Sequence, residues 1–155
     1  SSFPMKRSMS GASEEMISKL KLAHYHMVAC PSTPMQYGAL AALRGSDGFV
    51  DKMVREFQDR RDLITRRLNS IDGFEARSPP GTFYSFPRFE LYNNGERLLS
   101  TDLAMELARK GLISSPGITF GSKGEYHMRF SFVSNRDHIT KGMDLLEDVT
   151  RSYVK

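Results

Sequence analysis

The chain has 155 residues, 39% hydrophobic and 26% charged, with 22 Lys+Arg against 18 Asp+Glu and a formal net charge of +4. That length suits one ordinary domain or part of a larger one, and ten Phe with nine Met exclude a disordered composition. A lone cysteine, Cys30, excludes an internal disulfide framework and fits a reducing, cytoplasmic setting; no run of about 18 apolar residues offers a membrane span, and Ser1–Arg7 lacks the apolar core of a signal peptide.

Ser13-Glu14-Glu15 predicts a helix start, a cap residue followed by acids where the helix dipole favours them. Met16, Ile17 and Leu20 follow at helical spacing, and Pro31 and Pro34 break the run. Met35 to Leu43, rich in Ala and Leu, predicts a second helix hydrophobic over most of its face, punctuated by Gly45 and Gly48. Asp47 is a candidate cap for the next helix. Val50, Met53, Val54, Phe57, Ile64 and Leu68 keep a 3.6-residue stripe over about 22 residues, the length of a strut between two parts of a protein. Gly73 stops it.

From Phe74 the texture changes. Phe74–Arg77 and Thr82–Phe86 read as strands around a Ser78-Pro79-Pro80-Gly81 turn. Asn93-Asn94-Gly95 reads as a loop. Ser100 or Thr101 is expected to cap a helix that Gly111 ends, and Leu112–Ser114 to form a short strand. Pro116-Gly117 and Ser122-Lys123-Gly124 are turns. His127 to Val133 alternates as a two-faced strand, and Ser134 or Asn135 caps a last helix bearing Ile139, Met143, Leu146 and Val149. The order predicts an α/β chain of α+β-like character: a small mixed sheet covered by helices, preceded by a long helix. Residues 1–46 do not make a complete core, whereas 47–155 do.

The sequence pI is near 9.3, yet the charges alternate in sign, as in Asp59-Arg60-Arg61-Asp62. Arg60-Arg61 and Arg66-Arg67 therefore read as a solvated helix face laced with ion pairs, not as a nucleic-acid stripe. No metal site is expected: His24 and His26 diverge on a helix, and His127 and His138 lack companions. Cys30 has no histidine motif beside it. No nucleophile-and-base pair, phosphate loop or dinucleotide fingerprint occurs.

Arg129 is the unusual residue. In His127-Met128-Arg129-Phe130-Ser131-Phe132, alternation puts the apolar side chains on one face and Arg129 with Ser131 on the other. A guanidinium in an apolar strand needs solvent, a structural acid, or a ligand carboxylate gripped by two parallel hydrogen bonds.

Several stretches together resemble one family. They are Pro31-Ser-Thr-Pro-Met-Gln36-Tyr-Gly-Ala-Leu-Ala-Ala-Leu43, Phe57-x-x-Arg60-Arg-Asp62 with Leu68-Asn69, and Gly73-Phe74. They continue with Pro80-Gly-Thr-Phe-Tyr-x-Phe-Pro87, Pro116-Gly-x-x-Phe-Gly121 and Gly124-Glu-x-x-x-Arg129-x-Ser-Phe132. In order and spacing, from about residue 14 onward, they are similar to the C-terminal portion of class I pyridoxal-phosphate aminotransferases, the aspartate aminotransferase superfamily. The resemblance implies that residues 1–46 are a remnant of a large cofactor domain. It makes 47–155 a helix bridging two domains plus the small domain. It also implies that Arg129 binds the α-carboxylate of an amino acid or 2-oxo acid. The parent enzyme would be a cytoplasmic homodimer with Gln36 near its interface, requiring neither nucleic acid nor membrane.

The head departs from the pattern. Ser2-Phe3-Pro4-Met5-Lys6-Arg7-Ser8-Met9-Ser10-Gly11 follows the outline of the family's lysine motif, but Met5 stands at the lysine position and Lys6 is one residue late. A thioether cannot form a Schiff base, which needs an amine. The expected Trp-Arg after Gly11, whose arginine contacts the cofactor phosphate, is missing. Residues 1–12 are thus tag sequence or an altered motif, and no catalytic or cofactor-binding residue is assignable. The expectation is an aminotransferase fragment, inactive alone and without covalent cofactor. The residues also leave open a non-catalytic module of the same fold, basic or self-associating.

Overall fold

The computed structural model of the chain describes residues 13–27, 31–45 and 48–153. The chain divides into two compact units, Ser1–Asp47 and Gly48–Lys155. The head with Met5 and Lys6, together with Cys30 and Asp47, lies outside the described residues.

The first unit holds α1 (Glu14–Met27) and α2 (Thr33–Arg44). Ser13 Oγ accepts from the Met16 N–H at 3.4 Å, the capping contact its position predicts. The second helix begins earlier than Met35. Pro34 falls in its first turn, where a missing N–H costs nothing because that donor has no intrahelical partner. No residue of either helix is buried. Met16, Leu20, Met35 and Leu43 are among the exposed apolar side chains.

The second unit begins with α3 (Gly48–Asn69), the expected 22-residue helix. Its apolar stripe meets two environments. Ile64 and Leu68 are buried in the core, whereas Phe49, Val50, Met53 and Val54 are exposed. Asn69 anchors the helix end to Ala76, just past the first strand beyond it: its side-chain amide donates to Ala76 O at 2.9 Å and accepts from Ala76 N at 2.8 Å. Gly73 adopts φ +84°, and an added Cβ there would lie 2.9 Å from Glu90 O.

Seven short strands occur among the described residues: β1 (Phe74–Glu75), β2 (Tyr84–Ser85), β3 (Arg88–Phe89), β4 (Tyr92–Asn93), β5 (Glu96–Arg97), β6 (Ser115–Pro116) and β7 (Met128–Ser131). β7 lies between β2 and β6, β1 pairs β3, and β4 pairs β5. Each described pairing is antiparallel, which corrects the expected mixed sheet. A parallel pair needs a crossover between neighbouring strands. The helix α4 (Ser100–Arg109) joins β5 to β6, and those two strands lie in different sheets. The expected loop at Asn93–Gly95 is the tip of the β4–β5 hairpin, with positive φ at Asn94 and Gly95 as a two-residue turn of this hand requires. Leu112–Ser114 is not a strand; pairing starts at Ser115, opposite Arg129.

The last helix, α5 (Arg136–Thr150), is capped by Asn135, whose side chain accepts from the His138 N–H at 2.9 Å. Ile139, Met143 and Leu146 are buried, as their spacing predicts. They join Leu103 and Leu107 of α4, Phe89, Leu91, and Met128, Phe130 and Phe132 around β7 in one core. Charged side chains lace the outside of α3. Glu56 pairs with Arg60 and Arg136 at 2.9 Å each, Arg61 with Asp62 at 2.8 Å, and Arg67 with Asp144.

Between β6 and β7 the backbone folds into two 3₁₀ turns, Gly117–Phe120 and Ser122–Gly124. They touch main chain to main chain. A Cβ on Gly117 would lie 2.1 Å from Gly124 O and 2.6 Å from His127 O, while Gly81 has open space around it. Gly117→Ala is therefore expected to lower stability by more than about 1 kcal/mol. Gly81→Ala should leave it within about 0.5 kcal/mol. Chemical denaturation of the two variants beside the parent checks this, and equal midpoints would refute the close packing.

Candidate functional site

Arg129 sits in the middle strand of the three-stranded sheet. Its neighbours Met128 and Phe130 are buried on one face, and Arg129 itself is half-buried on the other. The register brings Ser115 directly opposite it, and Arg129 Nη2 donates to Ser115 Oγ at 3.1 Å. β2 pairs Tyr84 with Ser131, two residues along, so Tyr84 is a diagonal neighbour. The guanidinium carbon lies 4.4 Å from the Tyr84 ring centroid and 4.8 Å from that of Phe120. No carboxylate pairs with Arg129 among the described residues. Of the three partners its sequence context allows, a structural acid is therefore excluded among them.

The guanidinium opens on a cleft of about 640 Å³ lined by Arg77–Pro80, Thr82, Tyr84, Phe86, Phe120 and Arg129. Among the described residues two arginines and no acid line it, so the cleft attracts anions. Its aromatic wall is continuous: Phe86 meets Phe120 edge to face at 5.8 Å, and His127 stacks on Phe86 at 5.1 Å with 10° between planes. Sequence reasoning finds Arg129 but misses Tyr84, Ser115 and Phe120. Only the strand register and the folded 3₁₀ turn bring them together, and neither is written in local spacing.

Pro79, Pro80 and Thr82 also line a second cleft. That cleft, about 510 Å³, is also lined by Met53, Val54 and Phe57 of α3, with Phe83 and Val133. Thr82 holds φ +68°, a left-handed conformation that a β-branched residue adopts only when its surroundings enforce it.

The turn carrying Phe120 is tied to α4 through Ser100. This corrects the expectation that Ser100 or Thr101 caps that helix. Ser100 is its first helical residue, following Leu99, and the orphan N–H of Ser100 donates to the Glu125 carboxylate at 2.7 Å. Ser100 Oγ in turn accepts from the Ile118 N–H at 3.4 Å. The cap comes from a residue 25 positions away, beyond any local motif. Burial pushes the Glu125 carboxyl up, but bonds from the Ser100 N–H, the Ser100 hydroxyl and the Tyr126 N–H outweigh it and hold it below the usual 4.5.

The other candidate residues lie on separate elements. His24 and His26 are on α1 and Gln36 on α2, where its side chain donates to Pro31 O at 2.9 Å. No group of three metal-ligating side chains forms among the described residues. No helix among them is long and apolar enough to cross a membrane. None of the described lysines lines the Arg129 cleft.

Comparison with known proteins gives one family. The model for aminotransferase class I and II matches residues 8–144. A probable aspartate aminotransferase of Methanocaldococcus jannaschii is 37% identical over 135 residues, covering 87% of this chain and 34% of its own length. Aromatic-amino-acid aminotransferase 2 of Thermococcus litoralis is 32% identical, covering 90% of this chain and 36% of its own. Among solved structures, the aromatic aminotransferase of Pyrococcus horikoshii superposes with a TM-score of 0.77 at 28% identity, covering 91% of this chain and 37% of that one. The chain thus spans about a third of the length of the relatives it matches.

The remote cap gives a pH-dependent stability with a definite sign. A carboxyl held lower in the folded state stabilises above its unfolded value of 4.5 and ceases to as pH falls through the lower folded value. Glu125→Gln is expected to cost about 1 kcal/mol near neutrality. The difference from the parent should shrink in acid, as denaturation midpoints across a pH series would show. A difference that grows in acid contradicts the assignment.

Proposed function

The chain belongs to the class I and II aminotransferases, and we propose that it is the part of such an enzyme that recognises the carboxylate common to its amino acid and 2-oxo acid substrates. The observation that carries this reading is a guanidinium with no carboxylate partner among the described residues, facing an open cleft. A planar five-donor fork, held in a sheet with N–H groups left over after its bond to Ser115, matches a carboxylate in shape and charge. Arg129 would anchor the α-carboxylate and so fix which Cα substituent points toward the reacting centre.

In the family the reacting group is pyridoxal phosphate, which when bound serves as an electron sink for amino-group transfer. No described lysine lines the cleft, which supports a share in holding the substrate rather than the cofactor. On the same reading the complete enzyme is a cytoplasmic homodimer, with α3 joining the substrate-binding part to the cofactor-binding part. This chain alone would then have no transaminase activity.

In an enzyme that carries this chain, Arg129→Ala is expected to lower kcat/KM roughly 30- to 5,000-fold, the equivalent of about 2–5 kcal/mol, with KM rising and cofactor absorbance unchanged. Steady-state kinetics with a spectrum of each protein decide it. Parent-like kcat/KM in the variant would refute the role of Arg129.

A further inference from the structure

We propose that Tyr84 and Phe120 are positioning residues that hold the Arg129 guanidinium between aromatic faces, setting the plane in which a carboxylate must approach. The proposal deepens the reading of Arg129 as the carboxylate anchor and rests on it.

Three contacts define the guanidinium's position. Tyr84 and Phe120 put ring faces 4.4 and 4.8 Å from its central carbon, and Ser115 Oγ takes one N–H at 3.1 Å. Its remaining N–H groups have no protein partner among the described residues. A guanidinium is poorly hydrated on its faces and strongly hydrogen-bonding at its edge, so rings can cover the faces while the edge stays open. A carboxylate gripped by two parallel bonds must lie in the guanidinium plane. Fixing that plane beforehand removes a rotational cost that an unrestrained arginine would meet on binding.

Phe120 is placed for this task and not for burial. It is 53% exposed, in a core where Phe130 and Phe132 are almost wholly covered. It meets Phe86 edge to face, and Phe86 stacks on His127. The turn that carries it is closed by the contact of Gly117 with Gly124, and is tied to α4 through Ser100. A rigid support under a half-exposed aromatic ring suits a ring with a partner to orient. Arg77, in the same cleft, has no ring over its guanidinium among the described residues.

The test uses the 155-residue chain, labelled with ¹⁵N, and two readouts. The first is rotation about the Arg129 Nε–Cζ bond, seen in side-chain NMR and assigned by its loss in Arg129→Lys. The second is the affinity for 2-oxoglutarate. Phe120→Leu keeps an apolar side chain but no π face, and Phe120→Trp restores the face. We expect Phe120→Leu to speed the rotation and to weaken 2-oxoglutarate binding about tenfold. Phe120→Trp should match the parent in both, and thermal unfolding should be alike in all three. Because Phe120 is half-exposed, its variants test the clamp even if Tyr84→Leu fails to fold. Unchanged rotation and affinity in Phe120→Leu overturn the clamp, as does a Trp variant that behaves like Leu. If the rotation changes as expected but 2-oxoglutarate binds neither parent nor variants, the carboxylate reading falls and the positioning role with it. If Arg129→Gln abolishes binding while Phe120→Leu does not, the carboxylate reading stands and the clamp alone is refuted.

Discussion

A charge without a counter-charge among the described residues organises this molecule. Leaving a guanidinium half-buried on an apolar strand costs free energy unless something replaces its hydration. Arg60, Arg61, Arg67 and Arg136 have carboxylate partners for this, and the half-buried Arg97 has the Phe89 carbonyl at 3.1 Å and the Tyr126 ring at 3.7 Å. At Arg129 the chain supplies a hydroxyl and two aromatic faces. Rings stabilise the cation without neutralising it, so the site keeps its attraction for an anion. Exchanging either ring for an acid would make a more ordinary ion pair and abolish the vacancy for a ligand carboxylate.

The surrounding architecture serves to hold that arrangement still. The central strand of a three-stranded sheet is the least free place in so small a fold, and Arg129 is on it. Asn69 ties Ala76 in place immediately before the loop that lines the cleft. Glu125 and Ser100 fasten the turn that presents Phe120. None of these residues touches the cleft as its own wall, yet each removes a motion the cleft would otherwise have. In the first unit, by contrast, neither helix buries a residue.

What can be read from the sequence is what repeats or what is local. The stripes of α3 and α5, the cap at Asn135, the ion-paired arginines and the alternation that isolates Arg129 all come from spacing within a few turns or residues. The start of α4, the start of β6 and the aromatic walls do not, because each depends on a partner that register alone brings near: Glu125 for Ser100, Arg129 for Ser115, Tyr84 for Arg129. The expected mixed sheet fails for a related reason. A helix between strands implies a parallel crossover only if those strands are neighbours, and β5 and β6 are not. Of the ordered motifs that carry the family resemblance, three contribute to this one cleft: Pro80–Pro87, Pro116–Gly121 and the strand of Arg129.

One short segment of chain borders both clefts. Pro79, Pro80 and Thr82 line the cleft of the arginine and also the cleft along Met53, Val54 and Phe57 of α3. Two consecutive prolines have little torsional freedom, and Thr82 is already in a conformation it would leave if released. The two clefts therefore share one stiff border, and a change in its path alters the outline of both.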